Sequence, residues 1–162
     1  MSDQLAKIEY RYLTFFVGAF ILQFTVIRFI EILYWRPDLI LIVLVFFSLK
    51  KGPNWGMTAG FVSGLLQDLI SVEMLGLTAL TKTLAGFLAG VLSGKLTSRA
   101  EFFLVLLISG FVHDLVYFFI FTLGENFSLH SLLIFYTIPN LLYTVIIGAI
   151  LYYFFEPIFA ES

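Results

Sequence analysis

The fold is decided by residues 52–96, which read GPNWGMTAGFVSGLLQDLISVEMLGLTALTKTLAGFLAGVLSGKL. This stretch holds two apolar segments, 55–70 and 75–96, joined by the short link 71–74. Glycine recurs every four residues in both segments, a spacing that keeps it on one face of a helix. The six glycines are Gly56, Gly60, Gly64, Gly86, Gly90 and Gly94. The pattern predicts two transmembrane helices folded back as an antiparallel hairpin and packed closely along glycine.

A single register of this hairpin pairs every position of the two glycine ladders. It places Gly56 opposite Gly94, Gly60 opposite Gly90 and Gly64 opposite Gly86. One step nearer the link, the same register places Asp68 opposite Lys82. Four-residue steps drift by about 40° each on an ideal helix, so the two helices must cross at an angle to stay in contact.

The composition indicates that the solvent of this chain is the lipid bilayer. The chain has 162 residues, of which 60% are hydrophobic and 12% charged, and its mean hydropathy is +1.02. Soluble domains are typically about 45–50% apolar and about 25% charged. Continuous apolar runs favour helices over a barrel. The net charge of −2 gives no sign of nucleic-acid binding, and a chain without cysteine forms no disulfide.

The apolar runs predict an all-α integral membrane protein with six transmembrane helices in one domain, residues 1–162. The predicted spans are about 12–30, 37–49, 55–70, 75–96, 102–123 and 131–155. The second run is short, since about 12 residues rise only about 18 Å. It is therefore a tilted span, a half-buried segment or a helix in a locally thinned bilayer. Pro139 is expected to kink the last span.

The distribution of Lys and Arg predicts that both termini are cytoplasmic. With the N-terminus inside, the cytoplasmic side carries Lys7, Arg11, Lys50, Lys51, Lys95 and Arg99. Only Arg28 and Arg36 then lie outside, and Lys82 lies within the membrane. This asymmetry follows the positive-inside rule, and the opposite orientation would invert it.

Polar residues inside the predicted spans are the candidates for a site. They are Asp38, Gln67, Asp68, Lys82, His113, Asp114 and Asn140. Ionisable groups are costly inside a membrane, so each should face protein or water and have a partner. Two interpretations stay open, a polar pathway or ligand site and hydrogen-bonded contacts between helices. For Asp38, directly after Pro37, capping of a helix start is the structural alternative.

Sequence patterns of catalytic and metal sites are missing. There is no H-E-x-x-H pair and no phosphate-binding loop, and the segment from Gly60 to Gly64 has the wrong spacing for a nucleophile elbow. The two histidines, His113 and His130, lie in different segments and make a poor metal set. The sequence therefore predicts a protein that is not an enzyme and that has no cofactor.

Four short motifs carry a resemblance to a known family. They are RPDL at 36–39, KGP at 51–53, GFVSGLLQD at 60–68 and LGL at 75–77, followed by the glycines of the fourth span. In their order and spacing they resemble MreD, a family of rod shape-determining membrane proteins of bacteria. Size and span layout are similar over nearly the whole chain, whereas the last two spans are similar in hydropathy alone.

The resemblance implies a non-catalytic component of the cell-wall elongation machinery in the bacterial inner membrane. Members of the family are thought to bind the bitopic protein MreC. Through MreC they influence a penicillin-binding transpeptidase, the RodA glycosyltransferase and cytoplasmic MreB filaments. Membrane lipids are further partners, and a homo-oligomer or hetero-oligomer is compatible with the resemblance.

The family is also similar in fold to the substrate-binding subunits of energy-coupling-factor transporters, which implies a second function, uptake of a small molecule such as a vitamin. Those subunits often carry an Ala-x-x-x-Ala patch on the first span. The first span of this chain departs from that pattern, because Gly18 and Ala19 are its only small residues.

Overall fold

The computed structural model describes an all-helical chain at residues 2–30, 35–71, 74–94, 98–123 and 128–159. Side chains are described from Tyr10 to Tyr153, apart from those of residues 11, 28, 98, 99 and 129 and of the gaps. The helices are α1 (Ser2–Thr25), α2 (Ile27–Ile30), α3 (Leu39–Lys51), α4 (Pro53–Ser71), α5 (Leu77–Leu92), α6 (Ser98–Phe121), α7 (Leu129–Leu132) and α8 (Ile138–Phe159), with a π-helical segment Leu133–Thr137 before α8.

Each predicted apolar run overlaps one helix, in the order α1, α3, α4, α5, α6 and α8. Two stretches of the described chain, Ala100–Phe121 and His130–Tyr153, are long and apolar enough to cross a membrane by length and composition. Tyr12–Thr25 and Leu77–Leu92 form shorter apolar helices. The all-helical architecture is consistent with a membrane helical bundle, and the crossing of the bilayer by each of the six runs stays a prediction.

The short helix α3 is the centre of the bundle. Every residue from Leu39 to Phe46 is buried, and α3 contacts α1, α4, α5, α6 and α8. A helix that is apolar on all sides belongs in the interior. The three interpretations of this run, a tilted span, a half-buried segment and a helix in a locally thinned bilayer, concern its depth in the membrane and stay predictions. Its 13 residues span only about 20 Å, and protein rather than lipid surrounds most of that length.

The predicted close packing of α4 on α5 is confirmed, but the predicted register is wrong. A Cβ atom added at Gly56 would collide with the backbone carbonyl of Gly86, and one at Gly60 with the carbonyl of Lys82. A Cβ atom at Gly64 would lie 2.5 Å from the Cα of Ala79. The backbones of α4 and α5 thus meet along a continuous contact, which we call the seam. The residue of α5 opposite each glycine of α4 lies about two turns closer to the start of α5 than the ladders predict.

The turn between α4 and α5 explains the shift. Asp68, in the last turns of α4, accepts hydrogen bonds from the backbone N–H groups of Gly76 (2.9 Å), Thr78 (3.1 Å) and Ala79 (3.1 Å). Gly76 has a φ of 91°, in the left-handed region that glycine tolerates best. The chain has thus already turned back beside Asp68 by residue 76. Gly90 consequently meets the backbone of Pro53 and Gly52 instead of Gly60.

A π-helical turn lies directly before Pro139 in the last span, whereas a kink at this proline stays a prediction. The N–H of Ile138 donates to the carbonyl of Leu133, a bond between residues five apart. Proline has no N–H to give to the carbonyl four residues earlier, that of Phe135. The indole Nε1 of Trp35 donates to this carbonyl instead, at 2.8 Å. The connection before α3 is thereby held against the start of the last span.

Candidate functional site: a polar cluster at one end of the bundle

A buried ion pair between α3 and α5 forms the inner part of the site. Lys82 is fully buried, and its Nζ donates to Oδ2 of Asp38. Oδ1 of Asp38 accepts from the backbone N–H of Leu41 at 2.8 Å, which confirms that Asp38 caps α3. The predicted pairing of Asp68 with Lys82 is wrong, since the two side chains have separate partners. Breaking a buried pair by removing one member leaves an uncompensated charge, so the pair fixes α3 against α5.

A second group of polar side chains extends from this ion pair to α6 and α8. Nε2 of His113 lies 3.9 Å from Oδ2 of Asp38, and Nδ1 of the same ring lies 2.9 Å from Oδ1 of Asp114. Asn140 donates from Nδ2 to Oδ2 of Asp114 at 2.9 Å. Its Oδ1 accepts from the backbone N–H of Arg36 at 3.0 Å. A continuous group, the polar cluster, therefore joins Asp38, Lys82, His113, Asp114 and Asn140.

Two residues that the sequence analysis did not select hold the backbone at the entrance to α3. Gln23, on α1, donates from Nε2 to the carbonyl of Pro37 at 3.2 Å and accepts from the N–H of Leu39 at 2.8 Å. Thr144, on α8, accepts from the N–H of Asp38 at 3.2 Å. The signal available in the sequence was an amide or hydroxyl inside an apolar run. The amide of Gln23 satisfies both a donor and an acceptor of the buried backbone.

Next to the polar cluster lies a partly open cavity of about 600 Å³. It lies where α1, α4 and α6 end and where α3, α5 and α8 begin. Its walls are formed by Gln23, Phe24, Ile27, Arg36, Asp38, Gln67, Ile70, Ser71, Thr78, His113, Asp114, Tyr117, Phe118, Phe121, Tyr136 and Asn140. Small-molecule sites typically enclose about 300–1,000 Å³ with mostly apolar walls and a few polar groups. The volume of this cavity lies in that range, but more than half of its lining residues are polar or charged, and we refer to it as the polar cavity.

The structure places the seven polar candidates in three different surroundings. Five of them form the polar cluster, and Gln67 lies on α4 at the wall of the polar cavity. Asp68 is buried and caps α5, away from the polar cluster. Of the candidate glycines, Gly56, Gly60, Gly64, Gly86 and Gly90 lie in the seam, while an added Cβ at Gly94 would meet no atom within 4 Å.

Two polar atoms at the wall of the polar cavity are buried without a hydrogen-bond partner, Oε1 of Gln67 and Nε2 of His113. Such unpaired atoms are rare in folded proteins and mark places where a ligand or a water fits. Among the described residues, no group of three or more His, Asp or Glu side chains is arranged to hold a metal ion. Neither unpaired atom has appreciable accessible surface, so both face packed protein and not the open space of the cavity.

A second surface lies at the other end of α1 and α4. A groove of about 460 Å³ separates these two helices and is lined almost entirely by apolar side chains. It is formed by Tyr12, Leu13, Phe16, Val17 and Phe20 of α1, Phe47 and Lys51 of α3, and Trp55, Thr58, Ala59, Val62, Ser63 and Leu66 of α4. We refer to it as the α1–α4 groove. Its position on the outside of the bundle makes it accessible to a neighbouring helix or to lipid.

Comparison with known proteins identifies the family. Searches among curated proteins and among solved structures each gave no significant match. A family model described as rod shape-determining protein MreD matches residues 8–160, nearly the whole chain. The membrane character of that family agrees with the two long apolar helices of this chain. The chain therefore belongs to the MreD family of rod shape-determining membrane proteins.

Proposed function

We propose that this protein is a non-catalytic component of the cell-wall elongation machinery in the bacterial inner membrane and that it maintains rod shape by binding MreC. The observation that carries the proposal is the family match across residues 8–160. Through MreC the protein influences a penicillin-binding transpeptidase, RodA and MreB filaments, as the resemblance implies. The six helices that carry the apolar runs cross the membrane as one domain.

The α1–α4 groove supports a role based on lateral contacts. Its residues on α4 run from Trp55 to Leu66, a rise of about 16 Å, or about half of the hydrocarbon core. A partner with a single transmembrane helix can lay that helix along such a groove, where close packing is the main source of helix association in lipid. We therefore propose the α1–α4 groove as the contact surface for the transmembrane helix of MreC.

Substitution in the groove tests this contact surface. Val62 and Leu69 are both exposed on α4, but only Val62 lines the α1–α4 groove. Val62→Trp should fill the groove, reduce co-purification of MreC from bacterial membranes and turn rod-shaped cells round. Leu69→Trp adds the same bulk outside the groove and should leave both unchanged. Equal behaviour of the two variants would exclude the groove as the contact surface.

The orientation in the membrane can be tested separately. The positive-inside rule places both termini in the cytoplasm and the polar cavity at the outer face. Because the chain has no native cysteine, single cysteines can be introduced at Ser2, Glu125 and Ser162. A membrane-impermeant thiol reagent should label only the cysteine at 125 in cells whose outer barrier is opened. Labelling at 162 but not at 2 would require an odd number of spans.

The polar cavity favours a second candidate function, that of a substrate-binding subunit for uptake of a small molecule. The likeness in fold to the substrate-binding subunits of energy-coupling-factor transporters is part of this second proposal. Depletion in a rod-shaped host distinguishes the two functions. Round cells with unchanged uptake support the shape-determining role, whereas rod-shaped cells that lose uptake of one vitamin support the transport role.

A further inference from the structure

The α1–α4 groove has the length of one leaflet of a lipid bilayer. Phe47 of α3 lines it, and the ring of Phe47 lies edge-on to those of Tyr12 and Phe16, with centroids 5.1 and 5.8 Å apart. On α4 the groove extends from Trp55 to Leu66, a rise of about 16 Å. Half of the hydrocarbon core of a bilayer is about 15 Å thick. One acyl chain, which reaches from the headgroups to the middle of the bilayer, therefore matches the groove in length.

Positive charge is confined to one end of this groove. Among the described residues that line it, Lys51 alone is charged. The Nζ of Lys51 lies 5.5 Å from the centroid of the Tyr12 ring, a cation–π contact that holds the ammonium group beside α1. Farther along α4, the hydroxyl of Ser63 donates to the carbonyl of Gly60 in its own helix. A molecule in the groove thus meets one cation at the end and apolar side chains along most of its length.

The end of the groove at Lys51 has the chemistry of a headgroup region. Lys50 and Lys51 lie in the last turn of α3, and α4 begins at Pro53. In the described part of the chain, no carboxylate lies within ion-pair distance of either lysine. Trp55 is 60% exposed, and tryptophan prefers the headgroup level of a membrane. A negatively charged headgroup is therefore the complementary partner at this end.

We propose that the α1–α4 groove is a binding site for an anionic phospholipid. The phosphate contacts Nζ of Lys51, and one acyl chain lies along Phe47, Val62 and Leu66. Lys50, at the preceding position of the same turn, adds to a positive potential that attracts anionic lipids and repels the ammonium group of an ethanolamine headgroup. The site goes beyond the proposed role in cell shape, because it holds a lipid and not a protein.

The lipid and a partner helix compete for the same space, because both lie along α4 in the groove. A bound acyl chain keeps the walls of the groove in close contact with another molecule until the partner helix replaces it. This exchange rests on the proposed contact with MreC. The lipid site itself does not, and it is tested without MreC.

Lipid binding to the purified full-length protein tests the proposal. The protein is freed of lipid in detergent and titrated with phosphatidylglycerol or with phosphatidylethanolamine of the same acyl chains, and native mass spectrometry counts the bound molecules. A single phosphatidylglycerol should bind tightly. Phosphatidylethanolamine should bind about fivefold more weakly, the factor by which one lysine near the surface favours an anionic lipid. Equal binding of the two lipids would overturn the proposal.

Neutralising one lysine at a time locates the headgroup. Lys51→Gln should weaken binding of phosphatidylglycerol about fivefold, whereas Lys51→Arg keeps the charge and should retain binding. Lys50→Gln is the matched control, since it removes the same charge from the same turn but outside the lining of the groove, and its effect should be clearly smaller. Equal losses in Lys50→Gln and Lys51→Gln would indicate general attraction between charges and contradict a site at Lys51.

Filling the groove tests the position of the acyl chain. Val62→Trp adds bulk inside the groove and should remove most of the binding, while Leu69→Trp adds it on the same helix outside the groove and should leave binding unchanged. Binding that survives Val62→Trp would place the lipid elsewhere and overturn the proposed site. Because MreC is absent from these measurements, such a result leaves the contact surface for MreC to be judged by co-purification and cell shape.

Discussion

The two ends of α3 are built in opposite ways. At the Lys51 end, the ring of Phe46 stacks on Phe102, with centroids 4.1 Å apart, and on Tyr152 at 5.8 Å. At the Asp38 end, the same helix meets the side chains of Lys82, His113 and Gln23 and a cavity of about 600 Å³. A core is normally packed to high density. The difference shows that the aromatic end supplies packing, while the polar end keeps space and hydrogen-bonding groups that packing alone does not require.

Stability alone does not explain the polar end. Empty space forfeits dispersion contacts, and buried polar groups cost free energy unless they are paired. Proteins commonly depart from optimal packing at functional sites and compensate elsewhere in the fold. The aromatic contact between Phe46 of α3 and Phe102 of α6 provides such compensation at the other end of α3.

The largest expected effect comes from stranding Asp38 at the polar end. Lys82→Met keeps the apolar stem of a fully buried side chain and removes its charge, so the Asp38 carboxylate is left without its counter-ion. Removing one partner of a buried ion pair typically costs about 3–5 kcal/mol. Thermal or denaturant unfolding in detergent should register this loss as a clear decrease in stability.

A double-mutant cycle distinguishes this ion pair from general sensitivity of the position. Asp38→Asn retains an N-capping side chain but removes the charge. The double variant Asp38→Asn with Lys82→Met should therefore be more stable than Lys82→Met alone. Additive losses would mean that Lys82 contributes through packing and not through the contact with Asp38. The same cycle with Asp68 in place of Asp38 should show no coupling.

The next largest effect concerns the seam between α4 and α5, which links the two ends of the bundle. A Cβ atom at Gly60 would collide with the backbone of Lys82, which cannot move as a flexible side chain can. Gly60→Ala should therefore cost about 1–3 kcal/mol through overpacking. Gly18→Ala, on α1, meets no atom within 4 Å and should be neutral or slightly stabilising, because alanine favours helix. Comparable losses for both glycines would contradict the seam.

The sequence predicted which residues form these regions better than it predicted which residues contact one another. Glycine every four residues identified the α4 and α5 faces that meet, and the position of Asp38 after Pro37 identified a cap. The register failed because it depends on the path of the link, where Asp68 draws the chain back to Gly76. The contacts of Lys82 with Asp38 and of Asp114 with Asn140 join helices far apart in the chain. Spacing along one helix carries no information about such contacts.

A smaller effect is expected from the cap that set this register. Asp68→Ala leaves the N–H groups of Gly76, Thr78 and Ala79 without their acceptor. Loss of a helix cap typically costs about 0.5–2 kcal/mol. Asp68→Asn should restore part of the loss, since an amide oxygen accepts the same bonds. Hydrogen exchange of the first turn of α5 should increase in Asp68→Ala, and exchange unchanged from that of the unaltered protein would contradict capping by this carboxylate.

The smallest effect concerns Gln67 at the polar end, where the expected change is a gain in stability. Oε1 of Gln67 is buried and unpaired, so Gln67→Leu removes an unsatisfied acceptor and should raise stability by up to about 1 kcal/mol. Gln23 is the matched control, because its amide is paired with the backbone of Pro37 and Leu39. Gln23→Leu should cost about 1–3 kcal/mol by leaving those groups unpaired. Unfolding measurements on both variants without added ligand therefore separate a glutamine that serves the fold from one that the fold does not use. Equal losses in the two variants would mean that Gln67 also stabilises the fold. The polar end would then differ from the aromatic end only in the types of side chain it contains.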